Sequence, residues 1–199
     1  MTGLLKCANA IDRLNGWIGR CVAWLLVAAI AISAGNAVLR KSFNMSSNAW
    51  LEAQWYLFGA VFMLCAAWTL RDDGHVRVDV LSNMLGPRRR VLIDLICHML
   101  FLIPFAAVMV YLSWPFFMTS FVSGEQSSDA GGLVRWPAKF FILAGFVLLL
   151  VQGVSEIIKC FAKLTGALTI SADTPPNNEA DVAIADPAVS RSKPSGPTT

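Results

Sequence analysis

The residues able to do chemistry are few, and they stand at the ends of long apolar runs. Glu52 opens a charge-free stretch from Ala53 to Leu70, which closes on the segment RDDGHVRVDVL carrying Arg71, Asp72, Asp73, His75, Arg77 and Asp79. A carboxylate at the mouth of a membrane span can hold an interhelical hydrogen bond or ion pair, contact a partner, or stay hydrated. Hydration is cheap at the interface, whereas a charge at the bilayer centre costs about 2.5 to 3.5 kcal/mol on insertion scales. A structural or interface role is therefore expected for Glu52, with plain solvation second and ion coupling last. The charged segment reads either as an ordinary cytoplasmic boundary or as a paired network. In the network reading Arg77 and Asp79 fix an interfacial turn, Gly74 lets the backbone leave the helix, and His75 is a solvated imidazole.

Other polar groups suggest fastening. His98 lies within an apolar run, and haem ligation would need a partner at matching depth, where His75 does not stand. A hydrogen bond to a neighbouring helix is the expectation for His98, and Gln152 falls in the same category. Cys7, Cys21, Cys65, Cys97 and Cys160 show no metal-ligand spacing and avoid both expected outer loops, so free thiols are expected. No nucleophile with a base, phosphate loop or zinc pattern is visible. No catalytic residue, substrate-binding residue, metal or cofactor is expected.

These residues are positioned by membrane helices. Apolar residues make up 56% and charged residues 15% of the chain, a balance typical of a multi-span membrane protein. A hydrocarbon core of about 30 Å needs about 20 apolar residues in a helix. Cys21 to Leu39, Ala53 to Leu70, Leu95 to Gly124 and Phe140 to Ser155 all lack charge. The expected fold is an all-α integral membrane protein of four transmembrane helices, at about 18–39, 53–70, 91–113 and 138–158, forming a membrane domain over 17–165. Trp114-Pro115 is expected to end the third helix near Ser113, and Pro104 to kink it. Small residues at Gly59-Ala60, Ala66-Ala67, Gly145 and Gly153 suit close helix approach.

Residues 1–16 are expected to form an amphipathic lead-in along the inner leaflet, and 166–199, without an aromatic residue, a disordered cytoplasmic tail. Between spans two and three, Val76 to Leu85 with Gly86-Pro87 suggest a short interfacial helix. Asn48 is expected to cap the second helix. Lys6, Arg13, Arg20, Arg71, Arg77, Arg88, Arg89, Arg90, Lys159 and Lys163 gather on one side, against Arg40, Lys41, Arg135 and Lys139 on the other. This bias places both termini in the cytoplasm and explains most of the net charge of +3 without invoking nucleic acid. A cleaved signal peptide is the less favoured reading of the first span, because Asp12 precedes it in a long leading segment.

Glu52 opening the second span, Gly59-Ala60 within it, GHVRVDVL at 74–81, Pro87 with its basic cluster, RWPAK at 135–139, Gly145 and Gln152 together resemble the small membrane subunit of TRAP transporters, the DctQ-like family. The resemblance covers about residues 10–165. It implies a tripartite, ATP-independent transporter of the bacterial inner membrane, in which a periplasmic binding protein delivers an organic acid to a large membrane subunit that moves it by sodium symport. The small subunit would serve as scaffold for the large one and help receive the binding protein. Glu52, Gly59, Arg71, Gly74, His75, Arg77 and Asp79 are then expected in the subunit interface or structural network. Glu125, Asp129, Arg135, Trp136 and Lys139 are expected to face the periplasm as docking groups, with ordinary interfacial anchoring equally open to them.

A quinone-linked thiol oxidase would need outer cysteine pairs that this sequence lacks. A small self-sufficient exporter would want its carboxylate within a span. A stand-alone four-helix membrane scaffold remains open.

Overall fold

With no water in the hydrocarbon to satisfy backbone N–H and C=O groups, an apolar run that enters it must bond to itself as a helix. The computed structural model describes residues 2–43, 47–72 and 87–166, and they form four helices long and apolar enough to cross a membrane. Helix α1 is Thr2–Phe43 and α2 is Asn48–Arg71. Helix α3 joins an α-helical stretch Pro87–Cys97, a π-helical turn His98–Leu102 and a second stretch Ile103–Ser123, and α4 is Trp136–Leu164. Gly74, His75, Arg77 and Asp79, the interfacial helix expected around them, and the tail beyond Gly166 lie outside the described residues.

The helices differ from the expected spans in ways that have local causes. The lead-in and first span form one continuous helix of 42 residues. No proline interrupts it, and its first half is held against α4 by the contacts given below. At 1.5 Å per residue it is about 63 Å long, beyond the thickness of a bilayer. Helix α3 passes through Pro115 and stops ten residues later than Ser113, at Ser123. The stop comes from Gly124, which takes the left-handed conformation at φ 59° and donates its N–H to the carbonyl of Ser120. The irregularity expected at Pro104 takes the form of the π turn just before it, where the ladder resets around the missing N–H. Asn48 does not cap α2: Ser47 holds the cap position without a side-chain bond, and Asn48 reaches elsewhere.

The interior is made of small residues and the outside of large ones. Helix α4 packs against α1, α2 and α3, and α1 also packs on α2, so α4 is the common element. Ala8, Ala29, Ala60, Ala67 and Ala106 are buried, whereas Trp24, Phe62, Tyr111 and Val122 are at least 74% exposed. Lipid tails are as apolar as leucine, so close backbone approach has to hold the helices together. A Cβ on Gly145 would stand 2.7 Å from the carbonyl oxygen of Met63, and one on Gly19 would stand 2.6 Å from the Trp68 ring. Gly59 behaves differently from expectation within the chain, since a Cβ there would meet nothing within 4 Å. Its neighbour Ala60 is the packed residue, and Gly59 lies on an open face.

Gly145→Leu must push α4 off the α2 backbone, and should destabilise the purified chain by about 2 kcal/mol or more. Gly59→Leu should leave the melting temperature of the isolated chain unchanged. Thermal unfolding of both variants in one detergent checks the pair, and equal melting temperatures would contradict the helix contact.

Candidate functional site

Two polar constellations fasten the bundle, one at each end. At one end, α3 stops at Gly124 and the chain folds back as a short hairpin into α4. Gln126 and Val134 form an antiparallel bridge, Ser127 N–H donates to the Leu133 carbonyl at 3.0 Å, and Arg135 N–H donates to the Glu125 carbonyl at 2.9 Å. Gly131, at φ 74°, and a 3.0 Å bond from Gly132 N–H to the Asp129 carbonyl close the tip.

Glu52 lies beneath this hairpin and is only 8% exposed. The Ser127 hydroxyl donates to its Oε1, and the Leu133 backbone N–H donates to its Oε2 at 2.6 Å. Gly132 provides the room, because a Cβ there would stand 2.7 Å from Oε1. One helical turn earlier, Asn48 Nδ2 donates to the Ala130 carbonyl at 3.0 Å. Positions 48 and 52 share one face of α2, so that helix grips both the tip and the returning limb of the hairpin.

The expected docking residues form the rim of the same structure. Lys139 makes an ion pair with Glu125, and its ammonium lies 4.2 Å from the Phe116 ring centre. The hydrogen bond from Lys139 holds the Glu125 carboxyl below its ordinary range, with Arg135 adding to the effect. Because the folded value is the lower one, this contribution is complete above the unfolded glutamate pKa and is lost as pH falls through the folded value. Arg135 Nη2 donates to Ser128 Oγ at 3.3 Å, Trp136 packs edge-on against Phe121 at 5.5 Å, and Asp129 is exposed at the tip.

At the other end, α1 and α4 are joined by a network of side chains. Asn15 Nδ2 donates to Gln152 Oε1 at 2.6 Å, and Gln152 Nε2 donates to Asp12 Oδ1 at 2.9 Å and Glu156 Oε1 at 2.8 Å. Ser155 Oγ donates to Asp12 Oδ1 at 3.1 Å and to the Ala8 carbonyl at 3.3 Å. Lys159 Nζ sits between the two acids, 3.1 Å from Asp12 and 2.6 Å from Glu156. Gln152 and Ser155 are fully buried.

Arg71 ends α2 beside this network, with its guanidinium lying over Gly16 and its Nε 3.7 Å from Asp72. Glu52 and Arg71 lie at opposite ends of α2, about 28 Å apart at 1.5 Å per residue, and belong to separate constellations. His98 turns to its own helix, donating from Nδ1 to the Asp94 carbonyl at 2.6 Å, instead of to a neighbouring helix.

The sequence reading singled out Gln152 but missed its partners. Ala8, Asp12 and Asn15 recur at intervals of four and three, and Gln152, Ser155 or Glu156, and Lys159 do the same, so each set lies on one helical face. That polar periodicity was the available signal. For the Glu52 site, Gly132 and Ser127 carried no comparable pattern. Both constellations hold elements in place through donors and acceptors that face one another, with Asn15 Oδ1 the one acceptor of the network left buried without a hydrogen bond; among the described residues no cluster of three His, Cys, Asp or Glu side chains is placed to hold a metal ion.

The profile of the family described as "Tripartite ATP-independent periplasmic transporters, DctQ component" matches residues 29–163. No curated protein and no solved structure matches the chain. The matched range takes in the hairpin with Glu52, and the α4 half of the network around Gln152 and Lys159.

Glu52→Ala should leave the part-buried Leu133 N–H and the Ser127 hydroxyl without their acceptor. The expected result is faster amide exchange and proteolysis within residues 125–135, with the helices still protected and Glu52→Gln milder. Unchanged exchange at Leu133 would contradict the anchor. Lys159→Met strands Asp12 and Glu156 without their cation and should cost about 3 kcal/mol in detergent unfolding. Adding Asp12→Asn should recover part of that loss, and additive losses would exclude the coupling.

Proposed function

The chain belongs to the DctQ family of tripartite ATP-independent periplasmic transporter components, and we propose that it acts in the bacterial inner membrane as the scaffold for the large membrane subunit. In this reading both termini are cytoplasmic, an organic acid enters by symport through the large subunit, and the hairpin above Glu52 helps receive the periplasmic binding protein.

The observation that carries the proposal is the fastening of the bundle at both ends. A moving transport domain needs a frame whose helices keep their register, and buried polar contacts resist sliding because any shift leaves a donor or acceptor unpaired. Glu52 and Asn48 set the outer register through the hairpin, and Asp12, Gln152 and Lys159 set the inner one. The rim of Asp129 and Arg135 then stands on a braced platform, as a receiving surface requires. The exposed faces of α2 and α3, with Phe62, Gly59 and Tyr111, are broad enough to take a second membrane protein.

A self-sufficient exporter coupled through Glu52 is less well supported. Both of that residue's carboxylate oxygens accept hydrogen bonds from the hairpin, so carrying a proton or ion through the cycle would break the outer tie each time.

Capture of the tagged chain from native membranes in mild detergent should bring down a stoichiometric large multi-span protein, with a periplasmic binding protein beside it. Recovery of the chain alone or as a homo-oligomer across detergents would overturn the scaffold reading. In the same experiment Asp79→Ala should lower recovery of the large subunit more than Asp181→Ala in the tail, and equal recovery would remove the charged segment from the interface.

A further inference from the structure

Residues 73–86 join Asp72, just past the end of α2, to Pro87, at the start of α3. The places of those two ends restrict the path between them. The apolar stretch of α2 from Glu52 to Arg71 is about 28 Å long, close to the thickness of a hydrocarbon core, so Arg71 marks one edge of it. Gly153 packs on Leu102 and Ile103, Gln152 beside it bonds to Asn15, and the Arg71 guanidinium lies over the neighbouring Gly16. Leu102 therefore stands at the level of Arg71. Pro87 comes about 22 Å further along α3 at 1.5 Å per residue. A headgroup layer is only about 5–8 Å deep, so the first stretch of α3 passes through it. Leu92, Ile93 and Ile96 are 44–50% exposed on that stretch, about 9–15 Å beyond the edge.

Where α2 ends, an open groove of about 480 Å³ lies against α3, lined by Leu70, Cys97, His98, Phe101, Leu102 and Phe105. Ile93 stands one turn from Cys97 on the same face of α3, so an apolar strip continues from the groove toward Pro87.

The joining residues carry a matching strip. Val76, Val80 and Met84 fall on one face whether the backbone is helical or extended. An amphipathic stretch commonly lies in the headgroup plane, but the length of chain forbids that for the end of this one. Were Leu85 at headgroup depth, the two residue steps to Pro87 would have to cover about 14 Å, and they reach about 7 Å at most. At a helical rise of 1.5 Å, by contrast, residues 73–86 descend about 21 Å, which is the distance to be made. Gly86-Pro87 then supplies the reversal into α3.

We propose that residues 76–85 descend along the first half of α3, with Val76 seated in the groove beside Cys97, and Val80 and Met84 against Ile96 and Ile93. The segment then occupies the place below α2 and covers apolar side chains that neither hydrocarbon nor headgroups reach. Asp79 stays off the packed face and is left to a partner. The placement holds whether or not the chain scaffolds a large subunit.

The test uses the full-length chain in native membranes, with any subunit it assembles with. Val76→Cys, oxidised with copper phenanthroline, should form a disulfide with the native Cys97, identified by peptide mass spectrometry. The pair Met84→Cys with Ile93→Cys should do the same lower down. His75→Cys, one residue from Val76 but on the other face, should bond to Cys97 several-fold less. Without oxidant, Val76→Ser combined with Val80→Ser should raise maleimide labelling of Cys97 several-fold relative to the exposed Cys7.

Equal cross-linking from positions 75 and 76, or none from 76 and 84, would overturn the placement. Labelling of Cys97 that responds only to delipidation would assign the groove to an acyl chain. Labelling that responds only to removal of a co-purifying subunit would assign it to that protein, and either result overturns the proposal as well.

Discussion

Everything in this molecule follows from the fact that lipid gives helices no hydrophobic reason to associate. In water, burying Trp24, Phe62 or Tyr111 would drive folding, but here those side chains are among the most exposed. Association has to come from van der Waals contact at short range and from polar groups that have no better partner in hydrocarbon. The buried residues are accordingly mostly alanines, glycines and serines, with Val22, Leu70, Leu143, the amides of Asn15 and Gln152, and the carboxylate of Glu52. Large residues meet lipid, small ones meet each other, and polar ones mark where two helices must not slide.

The two ends use that rule differently. At the hairpin end, a helix side chain holds a loop: the carboxylate of Glu52 takes a backbone N–H and a hydroxyl from the hairpin, which otherwise has one bridge, a few turns, the Asn48 bond to Ala130 and the Glu125–Lys139 and Arg135–Ser128 contacts of its rim. At the other end, two helices hold each other mostly through side chains, with Lys159 between Asp12 and Glu156, Gln152 bonding in both directions, and Ser155 reaching the Ala8 carbonyl. A buried ion pair is weak evidence for stability, since desolvation offsets much of its attraction. It is better evidence for register, because the same groups displaced by one turn would face methylenes.

Much of the fold was legible because apolar length and charge bias are strong signals. Four charge-free stretches became four helices, and the family resemblance rested on residues within and between them. The boundaries were less legible. Pro115 looked like a stop, but a proline removes only one intrahelical bond and α3 continues through it, packed on α4 by Ser113 and Ser120. Gly124 was the true stop, and a lone glycine in a polar loop cannot be told in advance from any other. Glu52 was legible as a position and as a structural candidate. Its partners were not, because Ser127, Gly132 and Leu133 lie some eighty residues away and their approach depends on how α3 and α4 turn.

The asymmetry of the bundle bears on how such a frame would work. Helix α4 is fastened to α1 by the network around Asp12 and to α2 by the Gly145–Met63 contact, and it is joined to α3 by the hairpin and by Gly153 against Leu102. Helix α3 has its main helical contact with α4 alone, and it carries the π turn and both interrupting prolines, Pro104 and Pro115. The three-helix group α1, α2 and α4 is therefore the stiff part, and α3 is the part whose backbone has somewhere to bend. Because the hairpin continues directly from α3 and is gripped by α2, a load on its rim passes into Glu52 and Asn48. The carboxylate thus ties the one helix able to flex to the group that is not.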